Sequence, residues 1–161
     1  MTVAIKLWRI AAETREYRAN DLSGRAAAKY PGRWNARGEH VAYAAMSLAL
    51  AVLETAAHID DSGLPLNRFV VQLTVPIATW NARQELKWSA IDPAWCAVPA
   101  GRASVDLGSV WYKSAKSALL VVPSVVVREE NAVLINATHP DAKGIKARTI
   151  RAFEYNRLFR K

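Results

Sequence analysis

The sequence predicts an α+β fold, a mixed or antiparallel sheet with flanking helices, on three observations. One stretch, 47–59, is rich in Ala and Leu, the best helix formers among apolar residues. Runs at 69–76, 119–127 and 132–136 carry the β-branched residues that favour strands. These signals do not alternate as βαβ units would, which disfavours an α/β sheet. At 161 residues the chain is long enough for one core and too short to make two the default, so one domain over 1–161 is expected.

The elements follow in order. Val3 to Ile10 mixes apolar residues with Lys6 and Arg9 and predicts an opening strand. Glu13 to Gly38 is polar and turn-rich, ending in Tyr30-Pro31-Gly32-Arg33-Trp34-Asn35-Ala36-Arg37-Gly38, and predicts a functional loop or a short strand with turns. The helix over 47–59 has Ser47 as its N-cap and ends at Asp60-Asp61-Ser62-Gly63-Leu64-Pro65. A strand follows over 69–76, then loops with room for a short helix over 79–103. Ser114 to Leu119 predicts a further short helix, and Leu119 to Val127 a buried strand interrupted at Pro123. Glu129-Glu130-Asn131 predicts a turn, 132–136 a strand, and 145–155 the last strand.

Composition excludes several classes. With 52% hydrophobic and 22% charged residues, the chain is neither disordered nor collagen-like. A lone Cys96 excludes an internal disulfide and a Cys-rich zinc site, and it predicts a small buried hydrophobe rather than a nucleophile. His40, His58 and His139 are too scattered for a zincin pair, so no metal is expected. The seven glycines fit neither a dinucleotide fingerprint nor a P-loop. No signal peptide is visible, and the longest apolar window, Val41 to Leu53, falls short of the roughly 18 residues of a membrane span. The expectation is a cytoplasmic protein.

Charge is uneven. The net charge is +8, and Pro140 to Lys161 holds seven basic residues against Asp141 and Glu154. This basic segment would attract polyanions or acidic surfaces.

Four residues stand out as candidates. Glu54 lies in an apolar helix with Leu50, Ala51, Ala57 and His58 one turn away. A carboxylate there sits on the helix's solvent edge, the commoner case, or is poised at a pocket as a base or a stabiliser of positive charge. Arg33, between Gly32 and Trp34, has the planar fork that suits phosphate. Tyr43 is by default a half-buried aromatic and Ser124, after Pro123, a strand-edge hydroxyl.

Together, Gly32-Arg33-Trp34-Asn35, Gly38, Val41-Ala42-Tyr43, Leu53-Glu54, Val122-Pro123-Ser124, Asn131, Leu134-Ile135-Asn136 and His139-Pro140 resemble the RES domain family. These are toxins of bacterial toxin–antitoxin pairs, named after an Arg, a Glu and a Ser. The resemblance runs from Leu7-Trp8-Arg9-Ile10 to Phe153-Glu154-Tyr155-Asn156-Arg157-Leu158, with a departure at Gly108-Ser109-Val110-Trp111, where members often have Gly-Asp before the Trp.

The resemblance implies a fold similar to ADP-ribosyltransferase toxins, with NAD+ as substrate in a central cleft and no prosthetic group. It implies NAD+ consumption by hydrolysis or phosphorolysis or, alternatively, ADP-ribosylation of a protein. Arg33, Tyr43, Glu54 and Ser124 match the family's arginine, tyrosine, glutamate and serine, and Arg9 an N-terminal arginine of the cleft. It further implies an Xre-type, helix-turn-helix antitoxin bound in a hetero-oligomeric complex, with nucleic acid reached only through that partner.

Breaking the nicotinamide–ribose bond develops oxocarbenium-like positive charge on the sugar, which a carboxylate such as Glu54 stabilises. In that scheme Arg33 pairs with the pyrophosphate, Tyr43 offers a flat face, and Ser124 orients the nicotinamide end or the carboxylate. The rival from another class is a nucleic-acid-binding module, with C-terminal cations on phosphates and Phe153, Tyr155 and Phe159 stacking on bases.

Overall fold

Apolar strand faces build a sheet of seven strands, seen in a computed structural model that describes residues 3–159. Arg160 and Lys161 of the basic segment lie outside the described residues. The strands are β1 (Ala4–Ala12), β2 (Val41–Ala45), β3 (Arg68–Pro76), β4 (Gln84–Glu85), β5 (Leu119–Pro123), β6 (Asn131–Asn136) and β7 (Lys146–Phe153). Their order is β4-β5-β6-β2-β1-β3-β7, antiparallel except for β4 beside β5. Helices α1 (Arg25–Lys29), α2 (Leu48–Ala56), α3 (Ile77–Asn81) and α4 (Arg102–Ser114) complete an α+β fold.

The sheet has a seam. β1 pairs with β3 over nine residues and β2 with β6 over five, but β1 meets β2 at one register pair, Trp8 opposite Ala45. Helix α2 covers that seam, because Leu50, Ala51 and Val52 pack on Ile10, Ala45 and Val70. Its start is set locally, since the Ser47 hydroxyl accepts the Leu50 N–H at 3.1 Å. On the same face of the neighbouring strands, Trp95 and Trp111 join Trp34 over Val41, Leu120, Val122 and Leu134. The opposite face carries Leu7, Ala42, Ala44, Leu73, Val121 and Val133 in a second core.

Several expectations are corrected. The short helix expected over 114–119 is instead the thirteen-residue α4, which ends at Ser114, with Ala115 left-handed at φ 51°. Its buried positions are Ser104, Gly108 and Trp111, so small and polar residues share its inner stripe with Trp111, and the helix signal is weak in Ser and Gly. Gly108 is required there, because a Cβ would lie 1.6 Å from the Trp34 carbonyl oxygen. The strand expected over 119–127 ends at Pro123 and does not resume: the Ser124 hydroxyl accepts the N–H groups of Val126 and Val127 and turns the chain. Glu13 to Gly38 contains no strand after β1 but holds α1.

Candidate active site

Glu54 and Ser124 come together across 70 residues of chain. The Ser124 hydroxyl donates to Oε1 of Glu54 at 2.5 Å. Ser124 is buried, whereas Glu54 is half-buried and its Oε2 makes no hydrogen bond among the described residues. Position explains the need for a partner. Glu54 stands in the last turn of α2, where the helix dipole disfavours a carboxylate by roughly 0.3–1 kcal/mol. Helix α2 is tied down from behind by the Tyr155 hydroxyl, which donates to Thr55 Oγ1 at 2.7 Å.

A second cluster forms around the turn at residues 32–35. The Tyr43 hydroxyl donates to Oδ1 of Asn35 at 2.7 Å and accepts the Trp34 N–H at 3.2 Å. A Cβ at Gly32 would lie 2.7 Å from that hydroxyl, so the turn closes on the ring only with glycine there. Burial drives the Tyr43 pKa well above its ordinary value; the Trp34 N–H and Arg33 oppose this, and Glu39 adds to it. The phenol is therefore neutral and engaged, leaving its ring as the surface it offers.

Arg33 is half-buried and not wholly free. Its Nη1 donates to the carbonyls of Trp95 at 3.0 Å and Ala97 at 2.7 Å, and its own carbonyl accepts the Ser104 hydroxyl at 2.8 Å. Nε and Nη2 make no hydrogen bond among the described residues, so the half of the fork that remains can meet an anion.

The two clusters share one face of the sheet. Register aligns Tyr43 with Leu134 and Leu120, and Ala45 with Ala132 and Val122. The ladder runs one bond further, since the Ser124 N–H donates to the Glu130 carbonyl. From the Tyr43 row to Ser124 is four residues along β5, about 13 Å at the strand rise.

Arg9 is placed differently. In β1 it shares the face of Leu7 and Ala11, opposite the one that α2 covers. Its Nε is buried without a hydrogen-bond partner among the described residues, and burial lowers its pKa while Asp21 opposes that. No hydrogen bond joins Arg9 to the other four residues among those described. A groove of about 520 Å³ between β4 and α4, lined by Glu85, Asp92, Asp106, Leu107 and Trp111, includes none of the five.

Sequence reasoning left Asn35 and Glu39 without roles. Both are buried polar residues, and the signal available was their place in a Gly-flanked turn too polar for a core strand. Glu39 accepts the Ala36 N–H and the Ser109 hydroxyl, which pins α4 to the turn. Ser109, at the position where the family pattern departs, thus has a defined partner. Tyr155, expected to stack on bases, is buried and cannot do so.

The RES domain matches residues 6–156. The chain belongs to the RES domain family. A RES relative from Sphingobium sp. (strain YBL2), the "Prs ADP-ribosylating toxin", is 49% identical over 96% of each chain. The "Toxin Res" of Yersinia enterocolitica is 35% identical over 78% of this chain and 80% of its own length. The RES fold of this chain also resembles a chain in the crystal structure of the M. tuberculosis MbcT–MbcA toxin–antitoxin complex, with a TM-score of 0.63 and 13% identity. That likeness covers 94% of this chain and 86% of the other.

Proposed function

We propose that this chain is the toxin of a toxin–antitoxin pair and cleaves the nicotinamide–ribose bond of NAD+. The observation that carries this reading is the pairing of Ser124 with Glu54. One carboxylate oxygen is clamped and the other has no hydrogen-bond partner among the described residues, so Glu54 presents a fixed negative charge to an oxocarbenium-like sugar. Glu54 acts by electrostatic stabilisation and by holding the ribose hydroxyls. Arg33 binds the pyrophosphate through Nε and Nη2, and the Tyr43 ring packs against the nicotinamide end. Arg9 has an orphaned donor suited to an anion, and its assignment to the same ligand rests on the resemblance.

One relative's name bears on the acceptor of the ADP-ribosyl group. A relative matching 96% of this chain at 49% identity is named "Prs ADP-ribosylating toxin", which supports transfer of the ADP-ribosyl group, in our reading to a protein side chain, over hydrolysis or phosphorolysis. The likeness to a chain of a toxin–antitoxin complex supports a cognate antitoxin, which we take to be of the Xre type. Transfer to a protein and hydrolysis share the same bond-breaking step and the same need for Glu54.

The test incubates the purified chain with NAD+, with and without phosphate and cell extract, follows nicotinamide release and weighs the products. Wild-type release with ADP-ribose mass added to a protein is the expected result, and folded Glu54→Gln should lose about a hundredfold or more. Free ADP-ribose or its phosphate as the sole product would replace transfer by hydrolysis or phosphorolysis. Absence of nicotinamide release from the folded wild type would sink the reading.

A further inference from the structure

The turn that carries Arg33 is organised by a side chain whose polar groups are all engaged within the protein. Asn35 is fully buried, and both ends of its amide are in use. Its Oδ1 accepts the Gly32 N–H at 2.9 Å and the Tyr43 hydroxyl at 2.7 Å. Its Nδ2 donates to the carbonyls of Ala27 and Ala36, both at 2.9 Å. An amide has two acceptor sites and two donor hydrogens, so all four are filled and none remains for a ligand.

The four bonds reach distinct parts of the chain. Ala27 lies in α1, Gly32 and Ala36 flank the turn, and Tyr43 projects from β2. The bond to Gly32 closes the turn with Arg33 and Trp34 at its apex. The bond to Tyr43 fixes the ring against that turn. The Arg33 backbone and the Tyr43 ring are thus referenced to one buried point.

We propose that Asn35 is a positioning residue of the NAD+ site, setting the Tyr43 ring and the Arg33 turn in the arrangement that binds substrate. This rests on the reading of Arg33 and Tyr43 as NAD+-binding residues. It implies an effect on binding rather than on the bond-breaking step, since no hydrogen bond joins Glu54 or Ser124 to Asn35 among the described residues. A merely structural Asn35 would lower stability and leave KM in place.

The experiment measures KM and kcat for nicotinamide release, and urea unfolding, in wild type, Asn35→Ala, Tyr43→Phe, the double variant and Asn35→Asp. Asn35→Ala is expected to raise KM about tenfold or more while kcat stays within about threefold. Adding Tyr43→Phe to Asn35→Ala should change KM by less than about twofold, because the hydroxyl has already lost the Asn35 acceptor that fixes it and keeps only the longer Trp34 N–H bond. Asn35→Asp keeps an oxygen for Gly32 and Tyr43 but sets its second oxygen against two carbonyls. Its KM should rise about threefold or more, and it serves if Asn35→Ala does not fold. A KM near wild type in whichever Asn35 variant folds, or additive effects of Asn35→Ala and Tyr43→Phe on KM, overturns the proposal alone. A wild-type chain that neither binds nor cleaves NAD+ overturns the underlying reading and this proposal with it.

Discussion

The Ser124 hydroxyl donates its only proton to Oε1 of Glu54, at 2.5 Å, because the N–H groups of Val126 and Val127 occupy both of its acceptor sites. The orientation of that proton is therefore dictated by backbone geometry. Of the two roles the sequence left open for Ser124, orienting the nicotinamide end or orienting the carboxylate, the observed contacts favour the second.

Ser124→Ala should then weaken catalysis through Glu54. It removes the donor to Oε1 and leaves two N–H groups without an acceptor, costing about 1–3 kcal/mol of stability. Nicotinamide release should fall roughly tenfold to a hundredfold, less than in Glu54→Gln, with most of the loss in kcat. Steady-state kinetics with a urea melt checks this. A Ser124→Ala enzyme with wild-type kcat would show that the carboxylate needs no such clamp.

Arg33→Lys tests whether the guanidinium does two things at once. One nitrogen holds the Trp95 and Ala97 carbonyls, and the rest of the fork is left for an anion. A lysine ammonium is a single point of contact and cannot replace both. KM for NAD+ should rise by an order of magnitude or more, together with increased protease sensitivity around residues 93–97. An Arg33→Lys chain with unaltered KM and cleavage pattern would contradict both roles.

How much of this was legible in the sequence depends on what kind of group makes each contact. α2, β3 and β6 were legible because Ala, Leu, Val and Ile side chains form their buried faces. α4 was not, because it turns Ser104 and Gly108 inward and docks on a backbone carbonyl. Arg33 was visible as a residue, but its partners are main-chain oxygens 62 and 64 positions away, which carry no side-chain signature. Glu54 was conspicuous for breaking a local rule, whereas its link to Ser124 needed the fold to bring α2 beside the end of β5.

Gly108→Ala is the sharpest test of the α4 docking. The added methyl would enter the space of the Trp34 carbonyl, so helix or turn must move. Overpacking of this kind costs about 1–3 kcal/mol or more. Because Trp34 neighbours Arg33, KM for NAD+ should rise as stability falls. Calorimetry showing an unchanged melting temperature would mean the helix slides away freely.

Tyr43 links the site to alkaline stability. Its pKa in the fold lies above the ordinary tyrosine value of about 10, chiefly through burial. Below pH 10 the phenol is protonated in both folded and unfolded chains, so it adds no slope. As pH rises past 10 the unfolded chain gives up this proton first, the folded state holds more protons, and stability falls until the folded pKa is reached. Tyr43→Phe has no proton to lose. It should be less stable than wild type near neutrality, where the bonds to Asn35 and Trp34 are missing, and the gap should narrow above pH 10. Urea unfolding of both chains from pH 8 to 11 measures that gap. A constant difference across the range would show that the Tyr43 hydroxyl titrates in the fold as it does in the unfolded chain.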